Sequence, residues 1–130
     1  NPVFYVQYCY ARINSLFRLL KLNKNKEIKI DLKNIKINEY EYKLLRKIIE
    51  WPRIVEIASQ KLEPHRIPFY LYELSTLFHS YWSKGNEDEN FKFIKNNNIK
   101  SPVTFKIFQL ITKVLENGMY ILGVSLPKKM

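Results

Sequence analysis

Tyr5, Tyr8, Arg12 and Ser15 recur at steps of three and four residues, so on a helix they share one arc. Two phenol rings one turn apart, with a guanidinium beside them, make a surface suited to unpaired bases and phosphate. The same spacing also fits half-buried tyrosines at the edge of a core, and the pattern alone leaves both readings open. The two histidines, His65 and His79, fall on the side of a long helix that carries Tyr72, away from its apolar stripe. Neither has a nucleophile or second acid–base group placed to make a catalytic pair, so both read as local hydrogen-bonding and packing residues. Cys9 is the only cysteine. It can form no internal disulfide, makes no zinc pattern with two histidines, and reads as a small buried apolar side chain. No Gly-rich phosphate loop is present.

The elements that must position these residues are helical almost throughout. Asn1 and Pro2 suit a cap and first helical position, opening a helix over 2–21 whose core arc is Val6, Cys9, Ile13, Leu16, Phe17 and Leu20. Residues 22–38 are rich in Lys and Asn, and the alternation of Ile28, Ile30 and Leu32 with Lys29, Asp31 and Lys33 suits a short extended stretch. Asn38 with Glu41 resembles a capping box that opens a helix to Trp51. Pro52 ends or restarts it, and 53–62 form a further short helix. Pro64 opens a long helix to Lys84, striped by Ile67, Tyr70, Leu71, Leu74, Leu77, Phe78 and Tyr81. Residues 85–101 read as loop. Ser101-Pro102 starts another helix; Gly118 could close it or be a tolerated packing glycine, and the Asn117-Gly118 pair favours a break before a short turn at 119–122 and an extended tail. The sum is an all-α bundle of about five to six helices in a single domain, 1–130.

The length is enough for a real core, and no apolar run spans a bilayer. With no secretory leader, a soluble cytoplasmic protein is the expectation. The net charge of +10 points to a polyanionic partner, although a lysine-rich composition also fits a merely solvated basic surface. Basic and aromatic residues together favour single-stranded nucleic acid over duplex or membrane. Lys21, Lys24, Lys26, Lys29, Lys33 and Lys36 read as a solvated loop with diffuse attraction for phosphate.

The stretch NPVFYVQYCYARI at 1–13 resembles the opening of the C-terminal, DALR-type anticodon-binding domain of arginine–tRNA ligases, which are class I aminoacyl-tRNA synthetases. LEPHRIPFYLYELSTLFHSYW at 62–82, ITKVLENGMYILGV at 111–124 and SLPKKM at 125–130 resemble the same domain in the same order, whereas 22–38 and 84–101 match it least. The resemblance implies that Tyr5, Tyr8 and Arg12 contact the anticodon loop, the tyrosines by stacking on its bases. It also assigns Trp82 an aromatic contact there; a core-edge tryptophan is the other reading. It folds the tail back so that Met130 lies beside the site, where a frayed basic tail is the other reading. Val124, Leu126 and Pro127 are the points that would pin such a tail.

The partners so implied are an arginine tRNA, read mainly at a middle cytosine, and a catalytic domain of the parent ligase in cis, with the chain a monomer. The HIGH-type and KMSK-type catalytic signatures are absent from these residues. ATP and Mg would therefore belong to the catalytic domain, with no cofactor, metal or catalytic residue in this segment. Two other readings stand beside this one: the anticodon-binding domain of another synthetase, and a helical protein-interaction module.

Overall fold

The computed structural model describes residues 1–130. Its helices are α1 (Pro2–Leu19), α2 (Glu39–Ile49), α3 (Trp51–Gln60), α4 (Arg66–Glu87) and α5 (Pro102–Leu122). Between α4 and α5 lie a 3-10 turn at Glu89–Phe91 and a hairpin of β1 (Ile94–Lys95) and β2 (Asn98–Ile99). α2 and α3 abut at Glu50, which keeps helical dihedrals (φ −75°, ψ −18°), and Pro52 marks the joint because it has no N–H to donate. They form one bent arm. The bundle is thus mostly helical as expected, but its four helical bodies are slightly fewer than the five to six expected.

Helix starts follow local chemistry. The Asn1 side chain accepts the Val3 N–H at 3.0 Å, with Pro2 at the first helical position. Asn38 accepts the Glu41 N–H at 2.9 Å and the Glu41 carboxylate accepts the Asn38 N–H at 3.1 Å, a full capping box. Ser101 accepts the Thr104 N–H at 3.2 Å ahead of α5. Each of these cap side chains satisfies one of the orphan N–H donors of a helix's first turn.

Helix ends depend on tertiary contacts and depart from the sequence expectation. α1 stops short of residue 21 because Lys21 turns left-handed (φ 56°) and the Leu22 N–H returns to the Phe17 carbonyl at 2.8 Å. α4 runs past Lys84 through Gly85. A Cβ at Gly85 would sit 3.1 Å from the Phe91 carbonyl oxygen, so its bare backbone is what lets the 3-10 turn close in. α5 runs unbroken through Gly118, where a Cβ would lie 2.7 Å from Leu71 Cδ1. Gly118 is therefore a packing glycine, and 119–122 is the last turn of α5 rather than a separate element. Gly123 (φ 70°) ends the helix, with the Val124 N–H bonded to the Met119 carbonyl at 2.9 Å.

The segment 85–101 is ordered rather than plain loop. Asn96 and Asn97 both take left-handed φ (53° and 60°), the geometry of a tight two-residue hairpin turn that pairs Ile94 with Ile99. The alternation at 28–32 forms no strand. Part of the lysine-rich stretch is docked instead of solvated. Gln109 donates to the Lys24 and Lys26 carbonyls (3.1 and 2.7 Å), and Lys24 pairs with Glu116 at 2.6 Å.

α4 is the central helix and packs on α1, α2, α3 and α5. Its stripe is buried as expected, with Leu77 half-buried. Cys9 is fully buried, and burial pushes its thiol up to about 12, so it is inert at neutral pH. No helix is long and apolar enough to cross a membrane. The unexpected core member is Glu41, 0% exposed, whose carboxylate also accepts the Thr104 hydroxyl and Lys100 Nζ (3.3 Å). One side chain thus caps α2 and ties it to the start of α5.

Glu41→Ala strands a lysine, a hydroxyl and a backbone N–H at once. It should lower unfolding free energy by about 2–4 kcal/mol, with Glu41→Gln losing less because an amide oxygen still caps. Urea denaturation checks this; an unchanged midpoint for Glu41→Ala would contradict the role given to the carboxylate.

Candidate nucleic-acid interface

Burial of Val6, Cys9 and Ile13 fixes the rotation of α1 and leaves Tyr8 and Arg12, four residues apart, on its flank facing α4. On α4 the buried stripe leaves His79 and Trp82, three residues apart, facing α1 in turn. The four meet at the Arg12 guanidinium. Nη2 donates to Tyr8 Oη at 2.7 Å and Nη1 to His79 Nδ1 at 3.2 Å. The guanidinium carbon lies 4.3 Å from the centre of the Trp82 ring and 4.7 Å from that of Tyr8, within cation–π range of both. Arg12 is a held, oriented cation and not a loose one.

Beside it opens a groove of about 400 Å³ with Tyr8, Arg12 and Ser15 on one side, Trp82 and Ile94 on the other, and Met130 at its edge. Ala11, Leu16 and Leu19 add an apolar lining. Tyr8 is 38% exposed. Trp82 is half-buried, packed edge-on against Phe93 at 5.5 Å and covered by Arg12. A flat apolar slot with a guanidinium at its wall can sandwich one or two planar rings and still offer N–H donors at their edge.

The tail reaches the groove by a defined path. Gly123 reverses it, Val124 and Leu126 pack on the core, and the Ser125 carbonyl accepts from Gln7 Nε2 at 2.8 Å. Pro127 is exposed and pins nothing; the Gln7 hydrogen bond takes its place. Met130 then lies at the groove, 56% exposed.

Of the residues the sequence singled out, Tyr8, Arg12, Trp82 and Met130 converge. Tyr5 does not join them at the groove. Its ring lies against His79 (4.6 Å) and Tyr72 (5.2 Å) and does not line the groove, and burial together with Tyr72 raises its hydroxyl pKa. His65 is exposed at the start of α4 and makes no capping bond. His79 is the residue missed. It is 8% exposed and stacks on Tyr8 at 5.3 Å, a packing and hydrogen-bonding residue as expected, but its place beside the groove was not expected. Its three-residue spacing from Trp82 was the available signal. Ile94 had none, because its place depends on the hairpin.

His79 is neutral across the physiological range. Burial first, and the Arg12 charge second, bring its pKa down to about 4, with the Tyr5 backbone opposing. A neutral ring can accept from Arg12 at Nδ1 only if the proton resides on Nε2.

The family model described as the DALR anticodon binding domain matches residues 6–130. An arginine–tRNA ligase of Pelagibacter ubique is 50% identical over 135 residues, covering 100% of this chain and 22% of that protein. One of Bartonella bacilliformis is 39% identical over 138 residues, covering 100% and 23%. Two solved structures share the fold. A Campylobacter jejuni chain assigned as an arginyl-tRNA synthetase superposes with a TM-score of 0.80 at 23% identity, over 100% of this chain and 27% of that one. The Thermus thermophilus arginyl-tRNA synthetase gives 0.70 at 23%, over 97% and 21%. The chain therefore spans under a quarter of the length of these curated relatives.

The depressed histidine has a thermodynamic consequence. Between its unfolded pKa of about 6.5 and its folded value, only the unfolded chain takes up the proton, so stability is full above pH 6.5 and falls as pH drops toward 4. The loss should reach on the order of 3 kcal/mol, with the part above pH 5 largely free of carboxylate titration. Urea melts at stepped pH should show the slope, and His79→Phe should flatten it. A slope unchanged by that substitution would contradict the neutral, buried assignment.

Proposed function

The chain belongs to the family of the DALR anticodon binding domain, and on that premise we propose that it grips the anticodon stem-loop of an arginine tRNA as part of an arginine–tRNA ligase. The observation that carries the proposal is the groove in which Tyr8, Trp82 and an oriented Arg12 stand together beside Met130. Anticodon bases are unpaired and present both faces and pairing edges. Tyr8 offers a stacking face worth about 1–3 kcal/mol per base. Arg12 uses two of its five N–H donors on Tyr8 and His79, which leaves three for acceptors on a base edge or a phosphate. Met130 supplies a flexible thioether that moulds to an aromatic ring. Tyr5 acts one layer back, bracing His79. The base read most strongly is a middle cytosine.

In this proposal the segment activates no amino acid. Arginine, ATP and Mg are handled by a catalytic domain in cis, and the ligase works in the cytoplasm with this segment as a monomer. The excess of positive charge supplies attraction to the tRNA backbone without sequence information, and the exposed lysines of 22–38 contribute to it.

Two outcomes follow. Log affinity for an arginine tRNA should fall linearly with log salt, by roughly a decade or more between about 50 and 200 mM for several phosphate contacts; filter binding reads this, and a flat response would make the charge incidental. Tyr8→Ala and Arg12→Ala should each weaken binding by about 1–3 kcal/mol with the melting temperature little changed, since alanine suits the helix. Arg12→Lys should rescue poorly, because an ammonium cannot bond Tyr8 and His79 while lying flat on Trp82. Undiminished binding by all three variants would reject the groove as the site.

A further inference from the structure

His79 touches no solvent-facing wall of the groove, yet it holds one of the two hydrogen bonds that orient Arg12. We propose that His79 is a positioning residue for RNA recognition: its neutral ring accepts the Arg12 Nη1–H and sets the plane in which the guanidinium meets an unpaired base. This deepens the proposed function and rests on it.

Three observations support the assignment. The ring is 8% exposed, stacked on Tyr8 (5.3 Å, 23° between planes) and tilted against Tyr5 (4.6 Å, 51°), so packing holds its orientation. Arg12 carries donors only, so the shared bond requires an unprotonated Nδ1. Nε2, which must then carry the proton, is buried with the Tyr5 backbone beside it but no well-formed hydrogen bond. A buried N–H left unpaired is unfavourable, and a phenyl ring would fill the same space without that cost. The use of an imidazole here therefore lies in the Nδ1 acceptor and in what it holds.

What it holds is a side chain with high rotamer entropy. An arginine fixed only by stacking on Trp82 can slide and rotate in the ring plane; two hydrogen bonds, to Tyr8 Oη and His79 Nδ1, remove that freedom before RNA arrives. Pre-ordering a contact group lowers the entropy lost on binding, and its removal is felt in affinity even though the group itself never meets the ligand.

The test uses an RNA stem-loop with an arginine anticodon. His79→Phe should weaken binding about three- to tenfold. His79→Asn, whose amide oxygen falls near the place of Nδ1, should recover part of the loss. In an Arg12→Ala background, His79→Phe should change nothing further. A merely structural histidine would give the same loss in both backgrounds, and that result overturns the proposal, as does full affinity of His79→Phe. Should His79→Phe fail to fold, the imidazole nitrogen shifts of the unsubstituted chain decide: a proton on Nε2 with a bare Nδ1 supports the proposal, and a proton on Nδ1 overturns it. Absence of binding by the unsubstituted chain would overturn this inference together with the proposed function. Binding without coupling between His79 and Arg12 would overturn this inference alone.

Discussion

The arrangement turns on the contact between α1 and α4 at the Arg12 guanidinium. A guanidinium there has to be kept flat and forward, and one helix cannot do that alone. Tyr8, four residues back on α1, supplies one acceptor; His79 and Trp82, three apart on α4, supply a second acceptor and a stacking face. These side chains meet because the two helices bury Val6, Cys9 and Ile13 on α1 and Leu71, Ser75 and Phe78 on α4, which holds their rotation fixed. The groove is thus a by-product of core packing, and its precision is inherited from that core.

The rest of the molecule brings parts to that contact. The hairpin turn at Asn96-Asn97 holds Ile94 at the groove, anchored by Phe93 against Tyr81, Trp82 and Phe108. Gly123 and the Gln7–Ser125 bond route the tail so that Met130 arrives from the other side. Glu41 fastens α2 to the start of α5 and so fixes the frame in which α4 lies. The Lys24–Glu116–Tyr10 cluster does the same for the chain leaving α1. Burial pushes the Glu116 carboxyl up, but bonds from Lys24 and Tyr10 outweigh it and hold the group ionised.

Helix starts were legible in the sequence because caps are local: Asn1-Pro2, Asn38 with Glu41 and Ser101-Pro102 each satisfy donors within one turn. The convergence of Tyr8, Arg12, Trp82 and Met130 was reached through family likeness added to helical spacing. What escaped was set by contacts distant in sequence. The Asn117-Gly118 pair favours a break over the packing reading until Leu71 is seen pressing on Gly118, and Gly85 reads as loop until the Phe91 carbonyl is seen beside it. Tyr5 and Tyr8 look equivalent on α1, but α4 takes Tyr5 for Tyr72 and His79 and leaves Tyr8 to the groove. His79 reads as a local packing residue without a named partner, because only the neighbouring α1 makes that side of the helix an interior.

The central claim is that RNA enters the groove between Tyr8, Trp82 and Met130. Methyl and indole resonances test it most directly, since the chain carries its own controls. Met119 is 1% exposed and Trp51 is buried away from the groove, whereas Met130 and Trp82 line it. On titration with an arginine anticodon stem-loop, the Met130 methyl and the Trp82 indole N–H should shift together and saturably, with Met119 and Trp51 still. Saturable binding that leaves Met130 and Trp82 unmoved would place the RNA elsewhere and contradict the account.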